Sequence, residues 1–271
     1  HQFMHDDMHM DQDYTTADIF TLRQTQQQHS TSLDAFFYAP RIVEWYEWAF
    51  GVSTFVKSNG MEAPVTFMRE GIETLILANA NNGIQTVFPE DSLEIRDDEL
   101  PIESHFSFLN AGTAAFHQSQ FHFGRWHLSA GLRLDYEHAR MRYMSMADFD
   151  YRFTMMMSYF KTVHTEISGN HSVYFLQVLP RLALSYDTPH ATTYGYVAKG
   201  YKAGGYNPQI FSTITQNKLM NDLASDMGMH LTIADTRFTD VAITSYKPET
   251  AWTFELGTHL TPPTRLSLDI D

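Results

Sequence analysis

The sequence predicts an all-β protein: part of an antiparallel transmembrane β-barrel, about eight strands of a larger closed wall. Three observations carry this. Apolar and polar residues alternate with period two over unusually long runs, aromatic residues sit at the ends of those runs, and the connections alternate between very short and very long.

The clearest run covers residues 126 to 138. Trp126, Leu128, Ala130, Leu132, Leu134 and Tyr136 alternate with His127, Ser129, Gly131, Arg133, Asp135 and Glu137. Alternation over that length predicts a strand of roughly 35 to 40 Å at about 3.3 Å per residue, longer than most strands of soluble domains. Tyr46, Trp48, Phe50, Val52, Thr54 and Val56 form a second such face, and Trp252, Phe254, Leu256 and Leu260 a third. Leu182, Leu184 and Tyr186 make a shorter one. The aromatics Trp48, Trp126, Tyr136, Tyr186, Tyr194 and Trp252 fall where girdles meet lipid headgroups. A sandwich core also concentrates aromatics, so the connections decide.

Gly124-Arg125, residues 187 to 192 around Pro189, and residues 261 to 264 around Pro262-Pro263 read as tight turns. Between them, long stretches at about residues 58–110, 143–171 and 205–246 are expected as extracellular loops leaving the opposite end. Short turns on one rim and long loops on the other are the asymmetry of outer-membrane barrels.

Composition supports this. The aromatic fraction of 14% is high and the charged fraction of 18% low, as a lipid-facing wall requires. No run reaches the roughly 18 apolar residues of a membrane-spanning helix. There is no cysteine, which excludes disulfides, thiolate metal sites and cysteine nucleophiles, and the net charge of -14 argues against a nucleic-acid partner. Gly-x-Ser-x-Gly, His-Glu-x-x-His and Walker patterns are absent, so no enzymatic role is expected. Both His1 and Asp271 fall in mid-pattern, and the chain is expected to be a fragment.

Several segments resemble one family. Residues 196–207 (YVAKGYKAGGYN) and 246–257 (YKPETAWTFELG) look like the paired barrel signatures of TonB-dependent receptors. Residues 131–137 (GLRLDYE) and 179–186 (LPRLALSY) match two further barrel strands. The opening Asp11-Gln12-Asp13-Tyr14 with residues 18–22 (DIFTL), and residues 63–67 (APVTF), are similar to the iron-complex receptor branch. The resemblance implies a barrel of about 22 strands around a plug, energised through the TonB complex, with an iron-siderophore or another scarce nutrient as ligand and outer-membrane lipid as solvent. No plug or TonB-contacting segment is recognisable here, and no cofactor is implied.

Within the signatures, Lys199, Lys202, Tyr206, Asn207, Glu249 and Glu255 are candidates for contact with ligand or plug; solvated wall residues are the competing reading. Gly200, Gly204 and Gly205 read as structural. The opening His1, His5 and His9 are weak candidates for copper or zinc, because an extended chain sets them on one face and Met4, Met8 and Met10 on the other. The methionines 155 to 157 suit packing of an outer loop better than a ligand surface. The alternative functions are a non-transporting or adhesin-like barrel and a soluble metal-binding β-protein.

Overall fold

A computed structural model describes residues 1–11, 16–226, 236–238, 240–261 and 268–270. The long strands are β1 (Gln2–Asp11), β2 (Phe20–Val43), β3 (Tyr46–Glu62), β6 (Glu99–Phe123), β7 (Trp126–Phe153), β8 (Lys161–Thr188), β9 (Ala191–Lys202) and β12 (Glu249–Leu260). Shorter ones are β4 (Val65–Met68), β5 (Leu93–Ile95), β10 (Gly205–Tyr206), β11 (Ser245–Tyr246) and β13 (Leu268–Ile270). One antiparallel sheet runs β1-β2-β3-β6-β7-β8-β9-β12-β13, and β10 pairs β11 apart from it. Nine positions thus follow one another where about eight strands are expected, and among the described residues the path does not close on itself, as in a segment of barrel wall.

The two strands off this path are continuations, not additions. Glu62 faces Thr25 and His105, and Val65 faces Leu22 and Ile102, so β3 and β4 keep one register to β2 and β6. The break is Ala63-Pro64, where the proline has no N–H for the ladder. Its carbonyl still accepts from the Arg23 N–H at 3.2 Å. β5 likewise extends β6 along β7, with extra residues bulging at 96–98. There the Asp97 carboxylate accepts from the Asp150 N–H at 2.9 Å in place of a main-chain carbonyl.

Two-residue turns join β2 to β3 at Glu44-Trp45, β6 to β7 at Gly124-Arg125, and β8 to β9 at Pro189-His190, all on one rim. Gly124 has φ +63°, the conformation such hairpin turns demand and glycine supplies without strain. The expected turn at residues 261–264 lies outside the described residues apart from Thr261, as do Gln12, Asp13 and Tyr14.

At the other end the loops are shorter than the sequence reading expects. Strand occupies residues 58–62, 65–68, 93–95 and 99–110, and the excursion is only residues 69–92. Strand also occupies 143–153 and 161–171, leaving residues 154–160 between β7 and β8. The reason is a change of phase. On β7 the outer face is Trp126, Leu128, Ala130, Leu132, Leu134 and Tyr136, then turns mostly polar with His138, Arg140, Arg142, Asp148 and Asp150 around Met144 and Met146; from Ala139 onward the buried apolar residues Met141, Ala147, Phe149, Tyr151 and Phe153 are on the inner face. A search for apolar residues on the outer face therefore loses the strand halfway along.

The outer band from Trp126 to Tyr136 spans about 33 Å of strand, or about 25 Å of height at the usual tilt, which is the apolar thickness of an outer-membrane barrel. Its side chains lie open: Leu176 is 68% exposed, Phe254 76% and Leu256 77%. So much apolar exposure in one band is compatible with lipid and not with water. Aromatics close the band at both edges. Trp126 meets Tyr186 at 4.7 Å near the turns, and Tyr174 lies between Tyr136 at 6.4 Å and His138 at 4.5 Å at the far edge. Tyr194 is no girdle residue; its hydroxyl donates to Glu255 on the inner face at 2.8 Å. No described helix is long and apolar enough to cross a membrane.

Beyond the band, β7 and β8 continue; each has 28 residues, roughly 90 Å of strand at about 3.3 Å per residue. Two helical segments pack on the inner face there. The first runs through α1 (Arg69–Gly71), a π-helical stretch Ile72–Leu77 and α2 (Ala78–Gln85), and buries Ile72, Ile76, Ala80 and Ile84. Residues four apart drift around an α-helix; the wider π turn offsets that drift and keeps the stripe facing the sheet. The second, α3 (Phe211–Asp226), buries Phe211, Thr215, Leu219 and Leu223 at the same spacing.

Two substitutions separate these environments. Leu132→Arg, mid-band, is expected to lower stability in liposomes by about 2–4 kcal/mol, read from urea-dependent loss of the folded, heat-modifiable gel band. Leu219→Ala is expected to cost about 2–5 kcal/mol of local stability, seen as faster hydrogen exchange in residues 211–226 with exchange unchanged in 126–136.

Candidate functional site

The inner face carries three zones stacked from the turns outward. At the turn rim a chain of polar side chains crosses six strands. Tyr38 donates to Glu47 at 3.0 Å, Glu47 lies 3.6 Å from His122, and the His122 and His127 Nδ1 atoms are 2.7 Å apart. His127 Nε2 meets Asp187 at 2.9 Å, and Thr192 donates to the same carboxylate at 2.7 Å. Alternation requires these residues to face inward once Trp126, Tyr186 and Phe121 face lipid.

At mid-height, opposite the lipid band, Arg133 donates to Asp135 at 2.9 Å and reaches Ser53 at 3.4 Å, Gln118 donates to Ser129 at 3.2 Å, and Tyr201 donates to Glu137. Asp135 is buried and ion-paired, as a carboxylate away from bulk water must be. This is a polar lumen face.

The outer zone is the vestibule formed where the helical segments dock. Ser104, Ser145 and Thr215 share hydroxyl bonds at 2.8 Å, joining β6, β7 and α3. Thr165 on β8 donates to Asp222 at 2.8 Å, while Lys218 holds the same carboxylate at 2.7 Å. Asp91 ties the two outer excursions together, accepting from the Ser92 N–H at 2.9 Å, the Thr154 hydroxyl at 3.0 Å and the Met155 N–H at 2.9 Å. Met155 stands 71% exposed at this tip and Met157 packs against the core.

The structure distributes the sequence-predicted residues unevenly. Tyr206, in β10, turns inward beneath α3 and bonds His171 Nδ1 at 3.2 Å and the Ala139 carbonyl at 3.3 Å. Asn207 is exposed and caps the following 3-10 turn through Gln209 N–H at 3.1 Å. Gly204 allows that close approach, since a Cβ there would sit 2.6 Å from the Tyr246 carbonyl oxygen. Lys202 faces Glu249 across the β9–β12 ladder, and Lys199 faces Trp252. These four lie beyond Arg181–Ala198, the last β8–β9 pair, next to Pro180, which has no N–H to extend the ladder. Glu255 sits lower, bonded to Tyr194.

His1, His5 and His9 follow one face of β1, successive ones about 13 Å apart along the strand, too far to share an ion. Among the described residues no group of three potential ligands is close enough to hold a metal. Just beyond the band, Asp7 is held below its usual value by the Arg23 guanidinium at 3.0 Å.

Sequence reasoning missed α3 and the helical segment before β5. Their signals were present: Asn207-Pro208 before the helix is a start pattern, and Phe211, Thr215, Leu219 and Leu223, like Ile72, Ile76, Ala80 and Ile84, recur every four residues.

A family model described as "TonB dependent receptor-like, beta-barrel" matches residues 5–271. The chain belongs to the TonB-dependent receptors. It is accordingly an outer-membrane β-barrel protein and not an enzyme, and the soluble metal-binding reading falls. Among solved structures, the ferric yersiniabactin uptake receptor from Yersinia pestis is similar, with 15% identity and a TM-score of 0.52 over 91% of this chain. That likeness supports the receptor-barrel fold alone, and the chain spans 28% of that protein's length. A ferric citrate transporter in its unliganded form aligns at 10% identity over 95% of this chain and 40% of its own, and its TM-score of 0.25 carries no argument. No curated protein matches.

Burial raises Tyr206 from the ordinary 10 to about 12. The folded state then binds this proton more tightly than the unfolded one, so the associated stability is full below pH 10 and lost as pH rises through about 12. Absorbance titration at 295 nm is expected to show a tyrosine ionisation near pH 12 that is missing from the curve of Tyr206→Phe.

Proposed function

We propose that this wall serves a receptor that captures a scarce nutrient at its outer end and passes it inward with energy from the TonB complex, the cargo being an iron-siderophore or a similar iron complex. The observation that carries this reading is the vestibule: helices from two outer excursions pack inside the sheet, above a polar lumen face and beyond the lipid band. A purely structural barrel has no need of a built, hydrogen-bonded interior at its outer end. The segments 69–92, 154–160 and 203–248 are read as extracellular, since the two-residue turns occupy the opposite rim as in outer-membrane barrels.

In this reading Lys199, Lys202, Glu249 and Glu255 meet the ligand or the plug, with Tyr206 and Asn207 shaping the base of the excursion that carries α3. The plug is the part through which the TonB complex would act. What supports an iron complex as cargo is the resemblance of residues 11–14, 18–22 and 63–67 to the iron-complex receptor branch.

The test is accumulation of radioactive iron, supplied as ferric siderophores, by cells expressing the gene that encodes this chain. Uptake is expected to depend on the TonB complex and to fall severalfold in the Lys202→Ala, Glu249→Ala double variant. Surface binding without TonB-dependent accumulation would favour the non-transporting barrel instead, and accumulation of only iron-free nutrients would reject the cargo.

A further inference from the structure

Much of the described inner face is charged and hydrogen-bonded or packed under the helical segments, and a part beside α3 is neither. Where α3 passes over β2, the β3–β4 strand and β6, a cavity of about 250 Å³ remains. Its floor is Leu22, Met61, Val65, Phe67 and Phe106, apolar and two of them aromatic. Gln24 lies beside Leu22 on β2, and facing the floor are Gln209, Gln216, Ser212 and Thr213.

None of the lining side chains is charged. This sets the cavity apart in a chain of net charge -14, whose mid-height lumen carries Arg133, Asp135 and Glu137. The Ser104 hydroxyl at its edge is engaged with Ser145, and Ser212 gives its proton to the Gln209 carbonyl. Among the described residues, the side-chain amides of Gln24, Gln209 and Gln216 make no hydrogen bond, so amide donors and acceptors stand ready at the mouth.

Size and chemistry together select an occupant. The volume lies just under the roughly 300 Å³ at which whole-ligand pockets begin, room for one ring-sized group. A flat apolar ring gains by covering Phe67 and Phe106, and a neutral amide or hydroxyl on it finds partners in the glutamines. An ionised group would lose its hydration and meet no counter-charge.

We propose that this cavity is a subsite for an uncharged, ring-bearing group with amide or hydroxyl functions, and that it discriminates against the same group carrying a carboxylate. The proposal rests on the receptor reading, deepening it by naming the part of the ligand that the outer vestibule holds.

The experiment uses the full chain in lipid nanodiscs and two matched probes, N-acetylphenylalaninamide and N-acetylphenylalanine, followed by saturation-transfer NMR at neutral pH. The amide is expected to bind at least tenfold more tightly than the carboxylate. Ala63→Phe, which fills the cavity from its floor, is expected to abolish amide binding. Gln216→Glu, a half-buried position on α3 that tolerates the change without repacking, is expected to weaken both probes and the carboxylate most. Equal affinity for the two probes, no binding of the amide, or amide binding unaffected by both variants would overturn the subsite. Because iron accumulation is measured separately in cells, a lost probe preference with uptake intact rejects the cavity alone; absent uptake with the preference intact rejects the iron cargo alone.

Discussion

Everything in this structure depends on the strands exchanging their apolar face partway along. Within the lipid band, side chains pointing outward must be apolar, because no water is present to solvate anything else, and those pointing inward can be polar because the lumen is wet. Past the band both requirements reverse. On β7 the exchange takes place between Tyr136 and Met141, and His138 stacked on Tyr174 marks the height at which the outer face becomes polar. A strand that kept its phase would present an apolar surface to water on its outside and nothing for a helix to pack against on its inside.

That inversion makes the helices possible. The stripes Ile72, Ile76, Ala80, Ile84 and Phe211, Thr215, Leu219, Leu223 have one dry surface available, the inner face around Leu100, Ile102, Phe149, Tyr151 and Phe153. The polar links within this layer, Ser104–Ser145–Thr215 and Thr165–Asp222–Lys218, are each hydrogen-bonded and fix the orientation of α3 on the sheet. Both ends of the sheet therefore have an organised interior, one built of His–carboxylate contacts along the rim and the other of hydrocarbon.

What was legible in the sequence followed from the rules of lipid. Trp126 to Tyr136 and Trp252 to Leu256 announced themselves because an apolar outer face has period two, and Gly124-Arg125 because a hairpin needs positive φ. The outer halves of β7 and β8 were hidden by the change of phase. Pro64 and the slip at residues 96–98 interrupt two continuous strands within the stretch 58–110 that reads as a loop. Glu44-Trp45 escaped because neither residue is a turn former, and the hairpin there is imposed by its ladders. Of the candidate residues, Tyr206 gained defined partners, whereas the cavity beneath α3 is assembled from five separate stretches of chain that no spacing in the sequence connects.

The early end of the β8–β9 ladder has a mechanical meaning. β8 continues to Lys161 while its pairing with β9 stops at Arg181, so eight residue pairs hold the β9–β12 hairpin to the rest of the wall at its base. β9 and β12 stay joined to one another along twelve pairs. The hairpin is thus clamped by main-chain bonds at the turn rim alone, and over its outer part it is held to the wall by side chains such as Tyr201 on Glu137. Load applied to the excursion at residues 203–248 therefore reaches the wall through side chains, by Thr215 on Ser145, Asp222 on Thr165 and Tyr206 on Ala139, and not through a main-chain ladder.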